Sequence, residues 1–301
     1  MEDSLISVII TTYKREEDVV KRAVDSVLNQ TYNNIEIIIV DDSPDDYERR
    51  KNVENMIISL KDSRIKYIKH DVNLGACAAR NTGIKESKGM YIAFLDDDDE
   101  WLPTKLEKQI SLISKPNIGL VYCKQIIYNE IIGKTYLDNH KRYKGQVFDK
   151  LLRHNFIGST SFALIRRECF DTCGLFNVNL KSAQDADMWL RIAKSYSIDY
   201  VDEPLVIYHV HKNERISSNP LNKIQGLEMI NSLYREDINK NRGTKSIRIF
   251  KLVPYYMLTG NIKKSFKCFL QAFVLTPYKL NYIILFIKYT IISLRHYLRS
   301  N

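Results

Sequence analysis

Four consecutive aspartates, Asp96-Asp97-Asp98-Asp99, follow the apolar run Tyr91–Leu95 (YIAFL) in this 301-residue chain. Like charges this close repel unless a cation or protons compensate them. A hard divalent ion, Mn²⁺ or Mg²⁺, is the simplest compensation, because carboxylate oxygens suit such ions. Mg²⁺ sites use only one or two carboxylates and fill the remaining positions with water and substrate phosphate, so not all four aspartates are ligands. The competing reading is an acidic turn at the positive end of a helix starting near Pro103, which accounts for Asp99 or Glu100 but hardly for Asp96–Asp98.

Other residues point the same way. Asn73–Gly83 (NLGACAARNTG) sets a helix start built of small residues beside Arg80, where backbone N–H groups and a guanidinium could meet a diphosphate; small residues also simply permit close packing. Gln184–Arg191 (QDADMWLR) opens an amphipathic helix pattern, in which Asp185 taken alone suits an N-terminal cap or a partner of the helix dipole. His209 and His211 flank Val210 at the end of a strand-like run, one suited to a metal or phosphate and the other to a structural role. No GxxxxGK[ST] is present and no GxGxxG follows the first apolar run, which excludes a P-loop and leaves a dinucleotide fingerprint unsupported.

The elements that must position these residues are legible in the periodicity. Leu5–Thr11, Ile35–Val40, Ile65–Ile68 and Tyr91–Leu95 read as strands. Helical patterns follow them at Glu16–Asn29, Asp46–Leu60, Ala76–Glu86 and Pro103–Ser114. Alternating βα units predict a mostly parallel sheet flanked by helices, with ligands outside the strand C-termini. Thr11-Thr12-Tyr13, Asp41-Asp42-Ser43 and Asp96–Asp99 should therefore share one rim. Beyond Ser114 the pattern loosens into strands near Gly119–Cys123 and Phe162–Ile165, helices near Gln146–Asn155 and Ala183–Ser195, and a strand pair near Ile198–His209. From Pro220 onward the sequence reads as helical, with breaks at Gly243, Pro254, Gly260 and Pro277.

Charge is unevenly distributed. None of the 36 Asp and Glu follows Asp237, whereas 12 of the 45 Lys and Arg do, leaving −3 before that point and +12 after it. Eleven aromatics interleave with the tail cations, among them Tyr255, Tyr256, Phe266, Phe269, Phe273, Tyr282 and Phe286. That mixture favours an anionic membrane surface over nucleic acid. Leu280–Leu298 is nearly long enough to span a bilayer but contains Lys288, so an interfacial helix is expected. The alternative is that Ile247–Leu258, Ile262–Leu275 and Tyr282–Leu298 pack together with their aromatics as core. The start Met1-Glu2-Asp3-Ser4 lacks the features of a secretory signal, and five cysteines without CxxC spacing read as reduced thiols, so a cytoplasmic location is expected.

Six ordered segments, VIITTYKR (Val8–Arg15), SVLNQTY (Ser26–Tyr32), IIIVDDS (Ile37–Ser43), NLGACAARNTGI (Asn73–Ile84), YIAFLDDDDEW (Tyr91–Trp101) and QDADMWLRIA (Gln184–Ala193), resemble the family 2 glycosyltransferases. The resemblance covers residues 5 to about 217 and implies an α/β GT-A fold, a Rossmann-like sheet within residues 1–217 that comprises a nucleotide half (1–114) and an acceptor half (115–217), followed by a helical extension over 218–301. It implies an inverting, metal-dependent transfer from a nucleoside-diphosphate sugar, UDP before dTDP or GDP, to a saccharide or lipid-linked saccharide at the inner face of the cell membrane. Thr11, Tyr13, Arg15 and Asp42 would bind the nucleotide-sugar, with Arg80 near the base or diphosphate and Asp96 and Asp97 in the DxD-type motif. Asp98 and His211 would be the metal ligands, Asp185 the base, and Lys212–Ser218 a lid. Gln184 stands where Glu is usual, His209 where Arg is common and Asp97 where a small residue is frequent, departures that bear on acceptor choice.

Two rival readings remain at this level. One is a non-catalytic nucleotide-sugar- or membrane-binding module with the same fold, hinted at by Gln184. The other is a nucleotidyltransferase, for which the glycine-rich, lysine-containing start after the first strand is missing.

Overall fold

The β-branched runs fold as strands and the amphipathic runs between them as helices. A computed structural model of the chain describes residues 4–211 and 219–300, with backbone alone for 295–300. In chain order come β1 (Ile6–Thr12), α1 (Glu17–Leu28), β2 (Ile35–Asp41), α2 (Arg50–Ser59), β3 (Ile65–Lys69), α3 (Ala76–Glu86), β4 (Tyr91–Asp96), β5 (Glu100–Trp101) and α4 (Lys105–Ile113). Then follow β6 (Ile118–Asn129), β7 (Lys134–Leu137), α5 (Phe148–Arg153), β8 (Ala163–Arg166), α6 (Glu168–Cys173), α7 (Gln184–Ser195) and β9 (Ser197–Val210). The rest is helical: α8 (Pro220–Leu233), α9 (Arg235–Asn239), α10 (Arg242–Phe250), α11 (Val253–Leu258), α12 (Ile262–Leu275) and α13 (Asn281–Ser300).

The described chain forms two compact units, Met1–Phe148 with Phe156–Val178 and Met188–Lys212, and Asp149–Asn155 with Asn179–Asp187 and Asn213–Asn301. The second unit thus takes two short stretches from within residues 1–217.

The first unit contains one sheet, nine-stranded among the described residues, in the order β3-β2-β1-β4-β8-β6-β9-β5, with β7 on β6. Strands β3, β2, β1 and β4 are parallel. Antiparallel neighbours enter beyond them: β8 against β4 and β6, and β5 against β9, while β9 runs parallel to β6. Successive side chains on a strand point to opposite faces. Ile6, Val8 and Ile10 of β1 join Val20, Val24 and Val27 of α1 and Leu106 of α4 in one core. On the other face Ile9 meets α3 at Gly83, where a Cβ would lie 2.4 Å from Ile9 Cγ2. Burial on both faces explains why IEIIIV is apolar without alternation.

The expected strand pair near Ile198–His209 is instead a single strand, β9, 14 residues long. Against β6 its register jumps from Val201 opposite Cys123 to Pro204 opposite Lys124, so Asp202 and Glu203 form a bulge. A bulge bends a strand without reversing it and tolerates a proline that cannot donate a ladder hydrogen bond.

In the second unit two of the expected breaks act differently. Pro254 sits in the first turn of α11 and Gly243 in the first turn of α10, whose cap Asn241 accepts from Thr244 N. A proline in the first turn starts a helix rather than interrupting one. The span Ile247–Leu258 is accordingly two helices. Tail aromatics do form core: Phe250 stacks on Tyr282 with centroids 4.0 Å apart, beside Val253 and Ala272. Yet α12 leaves Ile262, Phe266, Leu270 and Val274 exposed at four-residue spacing. Among the described residues no helix is long and apolar enough to cross a membrane. All five cysteines are free thiols, three of them buried.

Lys105 lies beneath the sheet with no exposed surface, its Nζ donating to Gln109 Oε1 at 2.8 Å and standing 3.7 Å from the Trp101 ring centroid. Burial lowers its pKa to about 7 from 10.5.

Two outcomes are expected. Gly83→Ala forces Ile9 aside and should destabilise the protein by about 1–3 kcal/mol in urea unfolding. Between pH 7 and the ordinary lysine range the unfolded chain holds a proton on Lys105 that the folded chain does not, so this group makes stability rise with pH there and contributes no slope below about 7. Lys105→Met should flatten the rise measured between pH 7 and 9.

Candidate active site

The sheet register builds the site. Thr11 lies beside Val40 and Asp96, and Thr12 beside Asp41, so β1, β2 and β4 end together on one edge. That edge is where parallel sheets bind ligands. The turn after β1 is held by Lys14 N donating to Ser43 Oγ at 2.8 Å, with Lys14 at φ 49°. Tyr13 is 44% exposed on that turn, free to offer its ring to a ligand.

The aspartates divide by partner. Asp96 Oδ1 accepts from Arg80 Nη2 at 2.8 Å and Oδ2 from Ser159 Oγ at 2.9 Å. Desolvation works against its charge, but Arg80 and the hydroxyls of Ser159 and Thr160 hold its carboxyl below the usual carboxylate range. Arg15 forks across the next two, Nε to Asp97 Oδ1 and Nη2 to Asp98 Oδ2, both at 2.8 Å. Burial pushes the Asp97 carboxyl up to about 6; Arg15 opposes this and the Asp98 charge adds to it. Asp99 Oδ2 accepts from Ser161 Oγ at 2.6 Å, and Glu100 faces His209, while α4 begins at Thr104 without a side-chain cap. The acidic run is therefore not the cap of α4.

The two histidines separate. His211 Nε2 lies 2.7 Å from Asp98 Oδ2, and its buried Nδ1 has no hydrogen-bond partner among the described residues. His209 is enclosed, with Nε2 at 2.6 Å from Glu100 and Nδ1 at 2.8 Å from Glu130.

Asp42 is buried and tied to the loop before α3. Its Oδ1 meets His70 Nδ1 at 2.7 Å and Leu74 N at 2.8 Å, and its Oδ2 accepts from Gly75 N at 2.7 Å. Gly75 sits at φ 87°, a conformation open to glycine without strain. Asp185 belongs to the second unit, in the first turn of α7. Its Oδ1 accepts from Ala186 N at 2.8 Å and its Oδ2 from Asn155 Nδ2 at 2.9 Å. The expected lid, Lys212–Ser218, lies outside the described residues.

The family model for Glycosyl transferase family 2 matches residues 7–174, more than half the chain and the span that carries every element of this rim except the end of β9. The chain belongs to glycosyl transferase family 2. It is 35% identical over 259 residues to the putative colanic acid biosynthesis glycosyl transferase WcaA of Escherichia coli (strain K12), covering 82% of this chain and 87% of that one. It is 35% identical over 204 residues, 67% of this chain and 75% of the relative, to the UDP-Glc:alpha-D-GlcNAc-diphosphoundecaprenol beta-1,3-glucosyltransferase WfgD of Escherichia coli. Two solved structures share the fold: S. aureus TarS 1-349 in complex with UDP-GlcNAc, at TM-score 0.66 and 16% identity over 98% of this chain and 92% of that one, and the mannosyltransferase PcManGT from Pyrobaculum calidifontis in complex with GDP-Man and Mn²⁺, at 0.64 and 17% over 98% and 87%. The fold is thus the GT-A type, and the chain is a glycosyltransferase.

For this glycosyltransferase a divalent cation fits the donor set. Asp98 and His211 bring a carboxylate oxygen and an imidazole nitrogen to one point, and the buried His211 Nδ1 has no hydrogen-bond partner among the described residues. Among the described residues no group of three His, Cys, Asp or Glu is placed to hold a metal ion by itself, so donor phosphate and water would complete the shell.

Sequence reasoning missed the clamps. Ser159, Thr160 and Ser161 fix Asp96 and Asp99, and His70 bridges Asp42 to Thr82 Oγ1 at 2.9 Å. The hydroxyl run Gly158-Ser159-Thr160-Ser161 between two ordered elements was the available signal for the first; nothing local marks His70. Ser161 has no exposed surface, so Ser161→Ala should leave the buried Asp99 short of a donor and lower stability by about 1–3 kcal/mol in denaturant unfolding.

Proposed function

We propose that this glycosyltransferase moves a sugar from a UDP-sugar onto a hydroxyl of a lipid-linked saccharide, with inversion, in the synthesis of cell-surface polysaccharide or glycolipid. The observation that carries the reading is the meeting of Asp98, His211 and Arg15 beyond the C-terminal edge of β4. Arg15 and Arg80, with a divalent cation that Asp98 and His211 would hold, would supply the positive charge a nucleoside diphosphate requires. Thr11 and the exposed Tyr13 ring stand where base and ribose would lie, with Asp42 fixing the loop beside them. The UDP-GlcNAc and GDP-Man complexes of structures with this fold support a nucleotide-sugar donor, and the diphosphoundecaprenol acceptor in the relative's name supports a lipid-linked acceptor.

Asp185 accepts the proton of the acceptor hydroxyl. The hydroxyl oxygen then bonds the anomeric carbon as the bond to the diphosphate breaks, and the nucleoside diphosphate leaves with the electron pair. Attack opposite the leaving group inverts that carbon. Asn155 orients the Asp185 carboxylate, and the Ala186 N–H donates to its other oxygen. A bound Mn²⁺ or Mg²⁺ would neutralise charge on the leaving diphosphate. Apolar residues exposed on α12 and α13, among them Phe266, Leu270, Ile284 and Ile287, combine with the +12 tail to favour peripheral contact with an anionic membrane at its cytoplasmic face.

The test is Mn²⁺-dependent binding and hydrolysis of UDP-, GDP- and dTDP-sugars. Asp98→Ala should lose binding and turnover together. Asp185→Asn should keep binding and lose roughly 10²–10⁴-fold in turnover, about 3–5 kcal/mol of transition-state stabilisation. Donor binding without turnover in the wild type would instead mark a non-catalytic module.

A further inference from the structure

The second unit gathers cations that no carboxylate balances. Arg153 ends α5 and His154 follows it, Arg248 lies in α10 and Lys251 caps its end, and Lys279 sits between α12 and α13. None of the five forms an ion pair among the described residues. Arg153 Nε donates to Thr244 Oγ1 at 2.9 Å and Arg248 Nε to Asn231 Oδ1 at 2.7 Å, both neutral oxygens. Arg248 is only 4% exposed, and its Nη2 is buried without a hydrogen-bond partner among the described residues.

Two of these groups, Lys251 and His154, feel their cationic neighbours. Burial lowers Lys251 to about 7, and Arg248 beside it adds to the effect. Burial also lowers His154, helped by Lys251, Lys279, Arg153 and Arg248 in that order. Buried cations without a counter-charge are costly. An oxyanion would relieve the repulsion and satisfy the orphaned guanidinium nitrogen, and phosphate oxygens suit guanidinium donors.

We propose that Arg153, His154, Arg248, Lys251 and Lys279 form a phosphate site that receives the diphosphate of the acceptor. This rests on the reading of a diphosphate-linked acceptor given above. Its position supports that role, because His154 precedes Asn155, the residue that grips Asp185 in the same unit. One segment therefore fixes both the phosphate-binding cations and the base. Several cations suit the multiple charges of a diphosphate better than the single charge of a phospholipid headgroup.

The shared chemistry, phosphate oxygens on cations, could also serve membrane lipid, so the experiment separates the two. Inorganic pyrophosphate is titrated calorimetrically into the full chain in EDTA, where metal-assisted donor binding is silent, and a short-chain prenyl diphosphate and phosphatidylglycerol vesicles are then used as competitors. The expected result is saturable pyrophosphate binding, weakened at least tenfold by Lys251→Gln with Lys279→Gln, and competition by the prenyl diphosphate but not by the vesicles. Because Arg248→Gln is liable to unfold, the half-buried Lys279→Gln alone, checked by thermal melting, serves as the second variant and should weaken binding about threefold or more. Absence of pyrophosphate binding, unchanged affinity in folded variants, or equal competition by vesicles would overturn the proposal. Pyrophosphate binding in a protein that turns over no donor would uphold this site while removing the catalytic reading.

Discussion

The concentration of negative charge at the end of β4 constrains everything around it. Asp96, Asp97 and Asp98 follow a strand buried on both faces, and neighbouring carboxylates there are tolerable only with positive charge and donors at hand. Arg80 from α3 takes Asp96, Arg15 from beyond β1 spans Asp97 and Asp98, and His211 from beyond β9 reaches Asp98. Sheet topology makes this possible. Pairing of Glu100 and Trp101 with Ile207 and Val206 returns the end of β9 to the turn that begins at Asp96.

The segment after the aspartates is held more firmly than its exposed neighbours. Trp101 Nε1 donates to Ser161 O at 2.9 Å, Trp101 N to Ser26 Oγ at 3.1 Å, and Gln30 Nε2 to Leu102 O at 2.9 Å. Each bond joins a buried side chain to backbone, so displacing the turn would leave polar groups unsatisfied. Such supporting bonds hold a site in a productive geometry. The turn after β1 contrasts with this, resting on Ser43 and on a lysine at positive φ, with Tyr13 outside. A rigid acidic floor beside an adjustable aromatic contact suits a donor whose diphosphate is constant and whose base must be admitted.

The second unit gives the uneven charge of the chain a structural meaning. Its aromatics make a core, as the Phe250–Tyr282 stack shows, while Arg153, His154, Arg248, Lys251 and Lys279 form no ion pair among the described residues. Buried lysine and arginine there keep depressed pKa values, so the unit stores an unmet demand for anion. Apolar stripes on α12 and α13 add a second demand, for something apolar. A phosphate-bearing lipid has both properties.

The sequence alone determined the βα alternation, the rim shared by Thr11, Asp42 and Asp96–Asp98, the family, and the excess of cations after Asp237. These are local or ordered patterns: a strand read from five apolar residues or an acidic run after it needs no knowledge of distant chain. Only the tertiary structure decided which histidine meets the aspartates, that Ile198–His209 is one bulged strand, that Gly83 serves close packing against Ile9, and that Ser159–Ser161 and His70 hold the acidic residues in place. His209 and His211 are alike by periodicity, and differ only because Glu130 reaches one and Asp98 the other. Partners separated by 28 to 113 residues are joined by register and topology, and neither is written in the spacing of neighbouring residues.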